Sequence, residues 1–166
     1  MQRRRRQRKN WGQITLWSVL AVILIVGSVM IVFHEALRPA NTAAKQTVQI
    51  ARKAGVNDAK GFLTFNRQQT YYAVNGHNRK GKSVYVIVAK KNGHVTIVHV
   101  KAGQTKTAIL QRVWSKQQPK KVLNVGLGIR NGQPVWEVTY LNQKGNLCYD
   151  LIRYRDSKTI QSIQNL

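Results

Sequence analysis

From Ile14 to Phe33 the chain runs 20 residues with almost nothing but Leu, Ile, Val and Ala, and no formal charge falls between Lys9 and Glu35. A helix of that length spans roughly 30 Å, the thickness of a bilayer's hydrocarbon core. The apolar residues surround the axis instead of forming one stripe, so the segment reads as a membrane span and not as a core helix. Thr15, Ser18 and Ser28 can return their hydroxyls to backbone carbonyls, and Trp11 and Trp17 suit an interfacial belt. A cleaved leader would have a shorter apolar region and then a small-residue cleavage site. Here Met30-Ile31-Val32-Phe33 closes the run with bulky side chains, which favours an uncleaved anchor.

Beyond the span the period changes. Pro39 is expected to end the helix leaving the membrane, with Asn41 or Thr42 as a fresh N-cap. Ala44, Val48 and Ala51 then recur at helical spacing up to a stop at Gly55. Short β-type runs follow at Phe62–Phe65, Thr70–Val74, Ser83–Ala89 and Val95–Val100, with turns expected at Asn75-Gly76, Lys80-Gly81 and Asn92-Gly93. Thr105 opens a second helix whose Ile109, Leu110, Val113 and Trp114 form one apolar stripe, and Pro119 limits it. Strands resume at Val122–Ile129, Val135–Leu141, Leu147–Tyr154 and Thr159–Ile163, with turns at Asn131-Gly132 and Lys144-Gly145.

Helix then strands occurs twice, and a gapless shift of 64 residues aligns the two halves. It lays Val74 on Val138, Asn78 on Asn142, Lys80-Gly81 on Lys144-Gly145, Tyr85 on Tyr149 and Leu63 on Leu127. The predicted fold class is α+β: a single N-terminal transmembrane helix, then two tandem units, each a helix on an antiparallel sheet of three or four strands. The boundaries are a basic tail at 1–13, the span at 14–33, a first domain at 34–102 and a second at 103–166.

Charge narrows the compartment and the partners. Arg3, Arg4, Arg5, Arg6, Arg8 and Lys9 precede the span, which predicts a cytoplasmic N-terminus, contact with anionic inner-leaflet lipids and an extracellular C-terminal domain. The remaining 22 cations face all five acids. That excess favours polyanions, and outside a cell these are lipid headgroups and anionic wall polymers; nucleic acid is disfavoured, since charge alone carries no base readout. A solvated, solubilising surface accounts for the same charge. One cysteine, Cys148, excludes an internal disulfide.

The residues offer little chemistry. His94 and His99 lie five apart in one strand and face opposite ways, His77 sits by a turn, and no H-E-x-x-H or paired cysteines exist, so no metal is expected. There is no G-x-S-x-G, and Gly126-Leu127-Gly128 lacks the third glycine of a dinucleotide fingerprint; it marks a bulge or a close backbone approach. No catalytic residue, cofactor or enzymatic activity is predicted. Trp136, Val138 and Tyr140 share one strand face, read as core under the second helix, or else a partner-gripping groove between domains. Glu137, on the other face, is expected to pair with a Lys or Arg. Ser83–Ala89 is apolar on both faces, which fits burial between a helix and the second domain, or an edge that accepts a partner strand. Tyr85, Ile87 and Trp136 are therefore the candidate partner-binding residues, and Lys116–Lys121 is a candidate basic contact for polymer or headgroups.

The stretch Pro134-Val135-Trp136-Glu137-Val138-Thr139-Tyr140-Leu141 with Gln143-Lys144-Gly145 resembles the W-E-V-T-Y strand and lysine-glycine turn of a firmicute membrane-protein family. Thr70-Tyr71-Tyr72-Ala73-Val74 and Lys80-Gly81 resemble its first-domain hairpin, so the likeness covers essentially the whole chain. The family is the YpmB/TseB-like regulators of cell-wall elongation, with one N-terminal span and two tandem PepSY-like (cystatin-like) domains. The resemblance implies a non-enzymatic, outward-facing regulator of peptidoglycan synthesis with a class B penicillin-binding protein as partner. No site residue transfers from the family by position. A PepSY-type peptidase inhibitor and a module binding anionic wall polymer or lipid are the alternative functions.

Overall fold

The computed structural model describes residues 11–165, with side chains described except at 11–15 and 31–40. Arg3, Arg4, Arg5, Arg6, Arg8 and Lys9 therefore lie outside the described residues. The chain divides into a compact unit ending at Thr42 and a second unit, Ala43–Leu166.

The first helix, α1, spans Trp11–Lys53. Pro39 does not end it, and Asn41 and Thr42 are interior positions instead of caps. Proline removes one backbone hydrogen bond, but Ala36, Leu37, Ala40, Ala43 and Ala44 around it are strong helix formers that carry the helix across. Between Leu16 and Met30 every side chain except Gly27 is exposed, and the Ser28 hydroxyl donates to the Leu24 carbonyl at 2.7 Å. Among the described residues no helix is long and apolar enough to cross a membrane; described side chains in the apolar run cover 16–30, and its ends at 14–15 and 31–33 fall outside them.

In the second unit α1 ends at Gly55, whose φ of 81° supplies the left-handed stop. Four antiparallel strands follow in order: β1 (Val56–Asn66), β2 (Thr70–Asn78), β3 (Ser83–Ala89) and β4 (Val95–His99). A 3-10 turn at Val100–Ala102 leads to α2 (Lys106–Gln117), capped by the Thr105 hydroxyl, which accepts from the Ala108 N–H at 3.1 Å. The second sheet repeats the arrangement with β5 (Lys121–Arg130), β6 (Gln133–Leu141), β7 (Leu147–Arg153) and β8 (Thr159–Ile163). The 64-residue shift carries β3 onto β7 and β4 onto β8 end for end. It also superposes two turns in chemical detail. Asn78 Oδ1 accepts from the N–H groups of Lys80 and Lys82, and Asn142 Oδ1 from those of Lys144 and Asn146, all at 3.0 Å. The fold is α+β, two four-stranded antiparallel sheets with helices.

Each side of β3 is buried, for separate reasons. Val84, Val86 and Val88 pack with Val74 and Ala51 on α1's last turns. Tyr85 and Ile87 point the other way, into a cluster with Leu127, Trp136, Val138 and Tyr140 of the second sheet and Ile109 and Val113 of α2. The interface reading of Ser83–Ala89 holds: one face meets a helix and the other the second sheet. Trp114 leaves the predicted stripe and is 48% exposed. It lies about 140° around the helix from Ile109, beyond the arc that Ile109 and Val113 bury.

Two glycine signals resolve differently. Asn75-Gly76 is not a turn; both residues continue β2, and the hairpin bends instead through Arg79–Lys82. Gly76 is there for clearance, because a Cβ would sit 2.5 Å from the Asn57 carbonyl oxygen of the bulged strand β1. Gly126 and Gly128 mark the expected close approach: β1 crosses β5 there, with the Thr64 carbonyl oxygen 2.4 Å from a built Cβ at Gly126 and the Phe65 ring 2.5 Å from one at Gly128. The Asn124 amide donates to that same carbonyl at 3.1 Å. Gly126→Ala should push the strands apart and cost about 1–3 kcal/mol, the usual range for overpacking, whereas the same change at Gly145, with nothing near, should show only the strain of its positive φ. Chemical denaturation of the two variants checks this.

Candidate functional site

Where β1 crosses β5, a cleft opens between the β1–β2 loop (Arg67, Gln68, Gln69) and the β5–β6 turn (Asn131-Gly132). It is a cavity of about 610 Å³ with Phe65 and Tyr71 on one wall and Ile129, Arg130 and Gln161 on the other. Asn131 and Gly132 both have positive φ, 49° and 72°, which makes the tight turn that presents Arg130 at the rim.

Arg67 is the most constrained side chain of this cleft. Its Nε donates to Glu137 Oε2 on β6, and its guanidinium lies 5.0 Å from the Tyr149 ring centroid on β7. Glu137 is thus paired, as expected, with a cation 70 positions away on the other sheet. The Glu137 side chain is nearly buried, at 4% exposure, and the Arg67 side chain as a whole is 27% exposed. Arg67 Nη2 is buried without a hydrogen-bond partner. Arg130 Nη1 donates to Gln161 Oε1 at 2.7 Å, and the Tyr71 hydroxyl donates to Gln69 Oε1 at 2.8 Å. No acidic residue lines the cavity. Each of these links joins residues from distant parts of the chain or from a loop, so no local motif announces them.

The three sequence-derived binding candidates lie together, but inside the core. Trp136 is fully buried, Ile87 is 1% and Tyr85 7% exposed. Tyr85 meets Trp136 edge-on at 5.4 Å, and Tyr154 stacks on Trp136 at 6.3 Å. The indole Nε1 donates to the Gln104 carbonyl at 3.0 Å, and the Tyr154 hydroxyl to the His99 carbonyl at 2.8 Å. The aromatic cluster therefore ties both sheets to the segment before α2. His77, His94 and His99 are exposed, and among the described residues no three His, Cys, Asp or Glu side chains are grouped to hold a metal. Cys148 is buried in β7. Lys116, Lys120 and Lys121 are exposed while Pro119 between them is buried. Asp150, which the sequence did not single out, is buried beneath α2 and accepts from Gln117 at 3.0 Å and from Ser162 at 2.6 Å.

Burial gives the aromatic cluster a pH signature. It pushes the Tyr154 hydroxyl up to about 12 from 10.0, with the neighbouring Tyr85 adding to the rise, and burial raises Tyr85 and Tyr140 in the same direction. Below pH 10 folded and unfolded chains both hold these protons. Between 10 and 12 the unfolded chain releases protons that the fold keeps, so stability should fall over that window. Denaturant midpoints measured from pH 8 to 12 should be flat and then decline, less steeply in Tyr154→Phe.

Comparison with known proteins places this architecture. Residues 46–89, from α1's last turns through β3, match the family model described as "Cell wall elongation regulator TseB-like domain". The chain is 26% identical over 154 residues to the probable cell wall elongation regulator TseB of Bacillus subtilis (strain 168), covering 92% of each protein. The chain thus resembles TseB along most of its length. Its fold is also similar to that of the YpmB protein from Bacillus subtilis, with a TM-score of 0.60 at 22% identity, over 72% of this chain and 95% of that one. The TseB-like match contains Phe65, Arg67, Tyr71, Tyr85 and Ile87, one side of the cleft and of the shared core. Their counterparts Arg130, Trp136 and Glu137 lie beyond it.

Proposed function

We propose that this TseB-like chain is a single-pass membrane protein whose two PepSY-like units stand outside the cell and regulate wall elongation by binding peptidoglycan-synthesis proteins, without turnover. The single observation carrying this reading is the similarity to a probable cell wall elongation regulator over 92% of both chains, which takes in the N-terminal region as well as the folded unit. The apolar run at 14–33 behind six cations supports the anchor and its orientation. The shared core supports binding over catalysis: the conspicuous aromatic side chains hold two sheets together, and the buried acids Glu137 and Asp150 are each tied to structural partners. A class B penicillin-binding protein is the proposed partner class, from the family resemblance.

The test is crosslinking in intact cells followed by affinity capture of the full-length, C-terminally tagged chain from its own membrane. Recovery of a class B penicillin-binding protein that survives a high-salt wash supports a specific interface. Recovery that disappears with salt, or of polymer or lipid alone, would replace regulation through a protein partner with attraction through charge.

A further inference from the structure

The cleft at the β1–β5 crossing has a chemistry that packing does not require. Its two cations stand on opposite walls and are held by different means. Arg67 is fixed by Glu137 on one edge and by the Tyr149 ring, and its Nη2 is left buried and unpartnered. A buried N–H without an acceptor costs about 1–3 kcal/mol, a cost that is removed if binding turns Nη2 out of its buried position to meet a ligand oxygen. Arg130 is steadied by Gln161 from β8. Glu137 balances Arg67, and no acid lines the cavity, so the cleft is one positive charge in excess. The rest of its polar lining is amide: Gln68, Gln69, Asn131 and Gln161. Amides donate and accept at once, which is the pattern that neighbouring hydroxyl groups satisfy. A volume of about 610 Å³ is more than a lone ion needs and leaves room for hydroxyl-bearing groups on either side of one.

We propose that this cleft binds one repeat of a hydroxyl-rich polyanion, with a single oxyanion between Arg67 and Arg130 and flanking hydroxyls on the glutamine and asparagine amides. The oxyanion is a phosphodiester of a polyol chain or a carboxylate of a uronate sugar; a guanidinium binds either through two parallel N–H groups. One charge in the cleft matches one charge per repeat, and the remaining surface cations then act only in attracting the polymer. Binding of a polymer repeat and capture of a synthesis protein are separate results, and either can fail without the other.

Two probes are titrated into the full-length chain in non-ionic detergent micelles at physiological salt: glycerol-phosphate oligomers and oligogalacturonate of equal length. Polyglutamate, which has the charge and lacks the hydroxyls, is the comparison. Arg130→Gln should weaken binding of the preferred oligomer about tenfold, the worth of one charge-assisted hydrogen bond. Gln161→Leu, which frees the Arg130 side chain, should weaken it several-fold, while Lys116→Gln and Lys120→Gln, equal losses of charge elsewhere, should change it less than twofold. Which oligomer wins identifies the oxyanion. Equal losses from Arg130→Gln and the lysine variants would overturn the site, as would polyglutamate binding as tightly as both oligomers, or no saturable binding by either. Arg130 and Gln161 are only partly buried, so unchanged melting of both variants separates lost binding from lost folding.

Discussion

Trp136→Ala should cost about 3–5 kcal/mol, at least roughly a fifth of the stability of an ordinary domain. The indole is fully buried, touches Tyr85 from the first sheet and Tyr154 in the turn just after β7, and satisfies the Gln104 carbonyl. Truncation would open a cavity at the contact between sheets and strand that carbonyl. Neither sheet can close the gap alone, because β1 is held against β5 at Gly126 and Gly128. Both halves should therefore lose stability together, in one cooperative transition seen by far-ultraviolet circular dichroism during denaturant titration. Trp136→Phe, which keeps most of the ring but not the N–H, should fall in between. A loss below about 1 kcal/mol for the alanine variant would mean that the two sheets do not share a core.

The second large effect is at the ion pair. Glu137→Leu leaves the Arg67 guanidinium against an apolar sheet face without its carboxylate. Breaking a fully buried pair typically costs about 3–5 kcal/mol. Arg67 is 27% exposed and can recover some hydration, so about 2–3 kcal/mol is expected here. Replacing both partners, as Arg67→Met with Glu137→Leu, should restore stability to within about 1 kcal/mol of the parent, since two matched apolar side chains avoid desolvation altogether. Denaturation of the two singles and the double completes the cycle. If the double variant is as unstable as the sum of the singles, the pair is not coupled.

Much of the framework is legible in the sequence because it is local. Asn131-Gly132 and Lys144-Gly145 announce turns through backbone chemistry that only a few residues satisfy, and Ser83–Ala89 announces double-sided burial by having no polar side. The 64-residue repeat is legible for the same reason: it preserves turn asparagines and core apolar positions. What escapes is set by neighbours distant in sequence. Asn75-Gly76 has the composition of a turn, yet the glycine answers to the Asn57 backbone across a bulge. Gly126-Leu127-Gly128 signals a close approach without naming Phe65 as the residue approaching. Glu137 is recognisable as a paired acid, but its partner Arg67 sits in the other half, and the cleft exists only once the two are joined. Pro39 misleads because propensity weighs one residue, while the alanine-rich stretch around it decides the helix.

The claim on which the functional account turns is that the folded unit stands outside the cell on an uncleaved anchor, and the chain provides a clean way to measure it. Its single cysteine, Cys148, is fully buried in β7, so a cysteine appended after Leu166 would be the one reactive thiol of the native chain. Intact cells are treated with a membrane-impermeant maleimide, and labelling is compared with that after lysis. The account predicts full labelling before lysis, on a membrane-bound chain of undiminished length. Labelling that appears only after the membrane is broken would place the folded unit in the cytoplasm and contradict it.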